Sequence, residues 1–392
     1  MKLSSRLAWG VPPNAIARRL DDRRARGEPL FDLTQSNPTD AGIAYPASIF
    51  EGLRAALAGD AALRYRPDPQ GDLAARRAIA DYYAARGEHV DPARLLLTAS
   101  TSEAYAWLFK LLCDPGDAVL VPSPSYPLFE YLGALESVSL APYTLGFDGH
   151  WFLDERALAE TLARTPRARA ILCVHPNNPT GSFLSSREID ALVTLAHGHR
   201  LPLICDEVFL DYAFAERDPD ARSLLREIRV PIFCLSGLSK VVGLPQVKLG
   251  WIHVGGPGAE EALARLELIA DTYLSVSAPA QLAAPSLLAH AREIQSTISS
   301  RTRANLARLD ALIADTAITR LPVAGGWYAT LRLPNTQNDE AWTLALLDAG
   351  VVVQPGYFYD FEDECVIVVS LLTPEAIFDE GIARLRSLVD HQ

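Results

Sequence analysis

The 392 residues are 49% apolar and 21% charged, the balance of a globular chain long enough for two or three cores. A net charge of −12 excludes a phosphate-backbone binder, whose affinity rests on clustered Lys and Arg. No basic-then-apolar leader opens the chain, and no apolar run nears the about 18 residues of a membrane span, so a cytoplasmic protein with no membrane partner is expected. Cys113, Cys173, Cys205, Cys234 and Cys365 are widely spaced with no C-x-x-C pair. They read as reduced, mostly buried thiols, and no metal site is expected.

In chain order, a loop-rich arm carries a helix-like run at Ala15–Arg26 and reaches Pro46. From there to Gly255, short apolar runs alternate with amphipathic stretches such as Glu103–Leu112 and Arg187–His197. The runs are LLLTAS, AVLVPSPSY, SVSLAPY, AILCVHP, LPLICDEVF, IFCLSGLSK and LGWIHVGG. Near-continuous apolar strands separated by helices predict a doubly wound, mostly parallel sheet covered on both faces, the mark of an α/β fold. After Ala259 a long helical region leads to WYATLRL and CVIVVSLL, with helices at Glu340–Asp348 and Pro374–Leu388 beside them. That pattern predicts a smaller α+β domain. The expected division is an arm over 1–46 joining the small domain, a large domain over 47–285, and a small domain over 286–392.

The chemistry-bearing residues follow strands, where ligands of such sheets bind. Lys240 ends SGLSK, and Asp206 ends LPLICDE, where a carboxylate is costly without a cation. HPNNPTG places Asn178 after another strand, PSPSY places Tyr126 after a third, and TASTSEA joins a strand to a helix, so that Thr101 and Ser102 form an anion cradle. An amine, a carboxylate, an amide donor, an aromatic face and a phosphate nest are together what a pyridoxal-phosphate site requires. Singly each motif is weak: NPTG alone is a structural turn and Tyr126 alone a core aromatic.

The ordered set YRPDPQG, TASTSEA, DPGD, PSPSY, NNPTG, DE at Asp206–Glu207, and SGLSK followed by KLGW resembles the class I/II aminotransferases of the fold-type-I pyridoxal-phosphate enzymes, over nearly the whole chain. The resemblance implies that Lys240 carries the cofactor as a Schiff base and shuttles the substrate proton. Asp206 would hold the ring nitrogen protonated, Asn178 would donate to the phenolic oxygen, and Tyr126 would stack on the ring. Thr101, Ser102 and Lys248 would grip the phosphate, and Tyr65 would reach the phosphate of a neighbouring subunit, implying a homodimer with shared sites. The implied reaction is ping-pong transfer of an amino group from an amino acid or amine to a 2-oxo acid.

Three positions depart from the family pattern. Lys248 stands where relatives place an Arg, and Lys binds phosphate as a point charge without bidentate geometry. Phe209 replaces a Tyr that donates to the phenolic oxygen; Tyr212, three residues on, reads as an outward-facing strand tyrosine. Val368 stands where an Arg clamps the substrate carboxylate, and Cys365–Leu372 holds no Arg or Lys. Arg332, Arg66, Ser36 and Asn37 are the alternative carboxylate contacts. The aromatic cluster Tyr357, Phe358, Tyr359 and Phe361 could line a side-chain pocket, although core packing serves half of these rings equally well. A lyase, decarboxylase or racemase on the same fold is the competing reading, because fold and cofactor do not fix the reaction. A regulator or a pure interaction protein is disfavoured by the retained Lys240, Asp206 and Asn178.

Overall fold

The apolar runs become strands buried on both sides, and the side-chain period of two divides them between two cores. Ile171 and Cys173, Leu203 and Cys205, and Ile232 and Cys234 face one core. Leu172, Ile204, Phe233 and Leu235 face the other. The computed structural model describes residues 1, 3–7, 13–214, 223–361 and 365–391.

A two-residue strand β1 (Phe31–Asp32) precedes the large sheet. That sheet contains β2 (Leu95–Thr98), β3 (Ala118–Ser123), β4 (Ser139–Phe147), β5 (Trp151–Leu153), β6 (Ala168–Val174), β7 (Leu203–Asp206), β8 (Ile232–Gly237) and β9 (Gly250–Gly255). Their spatial order is β2-β9-β8-β7-β6-β3-β4-β5. β4, β3, β6, β7 and β8 are parallel neighbours, whereas β9 is antiparallel to both β8 and β2. At the far edge β5 is antiparallel to β4, and LGWIHVGG is a reversed strand between two that run with the parallel set. Its apolar sequence reads the same in either direction, so composition alone could not set its sense.

Helices Thr101–Leu112 and Ala259–Tyr273 cover one face, and helices Leu73–Ala84, Ser186–His199 and Ala278–Ala289 cover the other. Local chemistry fixes their starts. Ser185 accepts from the backbone N–H of Glu188 while Glu188 accepts from that of Ser185, a reciprocal cap.

The second sheet holds β10 (Thr319–Arg320), β11 (Tyr328–Arg332), β13 (Gln354–Pro355) and β14 (Val366–Ser370) in the order β10-β11-β14-β13, antiparallel throughout. β12 (Val351–Val352) pairs instead with β1, in parallel. Leu33 from the arm shares a core with Leu331, Ile367, Val369 and Phe378, and Ile16 from helix Ala15–Ala25 packs with Leu347 and Val352. Among the described residues no helix is long and apolar enough to cross a membrane, and no cluster of His, Cys, Asp and Glu could hold a metal ion.

Candidate active site

Because β9 is antiparallel to both β2 and β8, those two run the same way as β3, β6 and β7. The carboxyl ends of these five strands thus share one edge with the amino end of β9. A cavity of about 370 Å³ opens there, lined by Ser36, Thr101, Ser102, Tyr126, Asn178, Asp206, Lys240 and Lys248 among others. Six strand ends far apart in sequence, with Ser36 from the arm, deliver these side chains to one place.

Lys240 sits in the single-turn helix Leu238–Val241 directly after β8. Its Nζ lies 4.7 Å from the ring centroid of Trp327 and 5.4 Å from that of Phe209. Burial among these rings pulls the ammonium down to about 8, partly opposed by the charge of Asp206. A buried lysine with so depressed a pKa is a competent nucleophile and base near neutrality. Tyr212 fixes the backbone below it, donating its hydroxyl to the Lys240 carbonyl at 2.5 Å.

Asp206 ends β7 and is 6% exposed. Tyr105 Oη donates to Oδ2 at 2.6 Å, and the backbone N–H of Val208 donates to Oδ1 at 3.0 Å. Burial pushes its carboxyl up, and the two hydrogen bonds and Lys240 pull it back. A carboxylate offers about four acceptor sites, so two remain for a protonated ring nitrogen.

The anion cradle is the first turn of helix Thr101–Leu112. Ser100 caps it by accepting from Glu103 N at 3.1 Å, and Glu103 Oε2 accepts from Ala99 N at 2.6 Å. The N–H groups of Thr101 and Ser102 have no intrahelical partner and face the cavity at the positive end of the helix. Glycine lets the chain close around them. A Cβ at Gly250 would stand 3.1 Å from Thr98 Oγ1 and 3.2 Å from the Ser100 carbonyl carbon. Lys248 completes the cradle from a left-handed conformation, φ 57°, which an L residue adopts at a cost.

The residues present fit pyridoxal phosphate on an observation independent of family. Asn178 is buried in the cavity lining and its Oδ1 has no hydrogen-bond partner, so the amide turned over would aim its Nδ2 donor at a ligand oxygen, whereas both donors of the neighbouring Asn177 are taken by Pro124 and Thr180. An unmet amide inside a cavity is a ligand position. Tyr126 forms a wall, edge-on to Phe129 at 5.5 Å, with its hydroxyl pushed up to about 12 by burial and by Asp206.

Three expected site residues are not brought to the cavity. Tyr65 is 82% exposed and lines a separate depression with Arg66 and Leu274. Asn37 spends its side chain on its own turn, donating to Asp40 at 2.7 Å and accepting from Thr39 Oγ1 at 2.9 Å. Arg332 lies four residues beyond Tyr328 on β11, about 13 Å at the strand rise, with its guanidinium 5.8 Å from the Phe147 ring. Tyr212 is a correction: it is 1% exposed rather than outward-facing, because the chain turns after Asp206 and folds it under Lys240. The aromatic cluster packs on itself and its neighbours, Tyr357 against Phe358 and Phe361 against Trp151.

Sequence reasoning missed Tyr105, Trp327 and Tyr328. Tyr105 had a signal, lying four residues after Thr101 and so one helical turn above the cradle. Trp327 opens the strand-like run WYATLRL, and its position over Lys240 is a long-range packing fact.

The comparisons with known proteins agree with this geometry. A family model described as aminotransferase class I and II matches residues 28–378. The LL-diaminopimelate aminotransferase of Desulforudis audaxviator is 30% identical over 390 residues, 96% of this chain and 95% of that one. The alanine aminotransferase of Mycobacterium tuberculosis is 30% identical over 353 residues, 86% of this chain and 79% of its own. Alanine aminotransferase from Pyrococcus furiosus superposes with a TM-score of 0.89 over 100% of both chains at 22% identity, a likeness of fold. A match spanning most of the chain leaves transamination favoured over the lyase alternative. The chain belongs to the class I and II aminotransferases, enzymes that depend on pyridoxal 5'-phosphate, and it is a transaminase.

Proposed function

We propose that Lys240 is both the covalent attachment point of pyridoxal phosphate and the base that moves the substrate proton, in a ping-pong transfer from an amino donor to a 2-oxo acid. The observation that carries this reading is the depressed, buried Lys240 amine facing the single carboxylate that lines the cavity among the described residues. When bound, the cofactor supplies an electron sink for the carbon that gives up its proton.

The protein's residues do the rest. Asp206 holds a proton at the ring nitrogen, and Tyr105 and the Val208 N–H keep that carboxylate aimed. Thr101, Ser102 and Lys248 take the phosphate, and Tyr126 and Asn178 orient the ring. Lys240 Nζ, once free, would receive and return the proton beside the rings of Trp327 and Phe209. Ser36, from the arm, lines the same cavity and would meet the substrate.

The test is a half-reaction. Protein loaded with pyridoxal phosphate should lose its yellow absorbance on addition of an amino donor, release one equivalent of oxo product, and recover its colour with a 2-oxo acid. Ammonia release with unchanged colour would replace transfer by elimination.

We infer a homodimer as well. Leu57, Leu63, Tyr65, Leu268 and Tyr273 are 60%, 86%, 82%, 71% and 51% exposed, large apolar side chains that the single chain leaves in solvent, and Tyr65 lines a depression with Leu274. Sedimentation should give twice the 42.7 kDa of the chain, and Tyr65→Phe should weaken retention of the cofactor severalfold; a monomer with full cofactor occupancy would end this reading. We divide the chain into a large cofactor-binding unit over 47–285 and a smaller unit of 286–392 joined by the arm 1–46, supported by the β1–β12 pairing. Five free thiols fit a cytoplasmic setting.

A further inference from the structure

We infer that this transaminase prefers substrates whose reacting carbon carries no carboxylate: primary amines with an apolar or hydroxyl-bearing substituent as donors, with 2-oxo acids accepted at weak affinity. The inference rests on the transaminase reading above and concerns what occupies the rest of the same cavity.

The argument is a census of charge. Among the described residues lining the cavity, the charged side chains are Asp206, Lys240 and Lys248. All three are committed to the cofactor: one to the ring nitrogen, one to attachment, one to the phosphate. What remains for the substrate is neutral, chiefly Ser36, Tyr126, Phe209, Ser239 and Tyr328.

The wall behind Tyr328 is also neutral. The period of two places Thr330 on the Tyr328 face of β11, and Thr330 pairs in register with Val368 of β14. Val368 is fully buried and on its other side pairs with Gln354, whose Oε1 accepts from the Tyr359 hydroxyl. Ser370, the next residue on that face, donates its hydroxyl to the Gln35 carbonyl at 2.7 Å. Arg332, further along β11, packs against Phe147 and does not line the cavity. A substrate carboxylate entering the cavity in front of this wall would lose its water without meeting an uncommitted cation among the described lining residues, which is strongly unfavourable.

The lining that remains suits a neutral group. Ser36, Ser239 and Tyr328 bring hydroxyls to the cavity, and a hydroxyl both donates and accepts, so they can serve an alcohol or carbonyl oxygen. The rings of Tyr126 and Phe209 line the same cavity and take an alkyl or aryl group. The reaction balances without another reagent. The amine loses its C–N bond and its carbon is oxidised to a carbonyl, while the 2-oxo acid gains the nitrogen and the same two reducing equivalents.

Two measurements on the enzyme loaded with pyridoxal phosphate decide the matter. In calorimetric titration, 3-phenylpropanol should bind at least ten-fold more tightly than 3-phenylpropanoate. Equal or tighter binding of the carboxylate overturns the inference. If that tight binding disappears in Arg66→Gln, an exposed and structurally harmless change, the missing cation comes from the loop beside Tyr65 and the inference is equally overturned. In single turnovers, 2-phenylethylamine and phenylalaninol should bleach the cofactor at least ten-fold faster than phenylalanine at equal concentration; the reverse order also overturns it. If no donor transfers its amino group at all, the transaminase reading falls, and the calorimetric comparison still decides whether the cavity rejects carboxylates. Val368→Arg should raise affinity for 3-phenylpropanoate at least ten-fold, and the wild-type titration stands whether or not that variant folds.

Discussion

Lys240→Ala lowers kcat by about 10⁴-fold or more, because no other lining residue can replace its amine as a proton carrier. Lys248, the other lysine at the cavity, belongs to the phosphate end, after the turn that opens β9. The variant should still bind pyridoxal phosphate through the helix end and Lys248, so loss of turnover with retained non-covalent cofactor separates chemistry from binding. A protein that turns over at a tenth of the wild-type rate would remove Lys240 from the reaction.

The same burial makes a pH prediction for the cofactor-free protein. The Lys240 ammonium falls from its ordinary 10.5 to about 8 on folding. Between those values the unfolded chain holds a proton that the folded chain has released, so stability rises with pH across that window. Below pH 8 both states are protonated and the cost of burying the charge, on the order of 3 kcal/mol, is present in full. Lys240→Met removes it. Thermal unfolding of the cofactor-free proteins should show the variant more stable at pH 7, with the difference shrinking as pH rises from 8 towards 10.5. A difference independent of pH would mean that the amine is not desolvated as the rings around it require.

Most of the large sheet and its reactive edge was legible because burial on both faces leaves a plain signature. ILCV, LICD and IFCL are apolar without alternation, and each hands a polar or basic residue to the same edge. What stayed hidden depends on direction and distance rather than composition. A strand pattern gives the face of Arg332 relative to Tyr328, yet not that four residues carry it away from the cavity. Phased as a strand residue, Tyr212 would face outward, but the strand ends at Asp206 and a turn erases the alternation on which that phasing rests. Trp327 meets Lys240 across 87 positions of chain, and no local pattern reports such a contact.

Asp206→Asn should cost about 10³-fold in kcat, the scale of removing one preorganised electrostatic contact, while leaving the cofactor-free protein at least as stable as wild type. The two effects have one cause. Asp206 is a carboxylate desolvated at a strand end, and burial raises its pKa above the ordinary 3.8. Between 3.8 and the raised value the folded state binds more protons than the unfolded one. Stability therefore falls as pH rises through that window, and above the raised value the penalty is complete. An asparagine keeps an oxygen for the Tyr105 hydroxyl and the Val208 N–H and removes the charge. Asp206→Ala does something else: it strands the Tyr105 hydroxyl, 1% exposed, and should lower stability by about 1–3 kcal/mol as well as activity. Measuring both variants by thermal unfolding and by turnover separates charge from scaffold. If Asn keeps wild-type turnover and Ala loses only stability, Asp206 is a structural carboxylate, and the proton at the ring nitrogen must be held by another group.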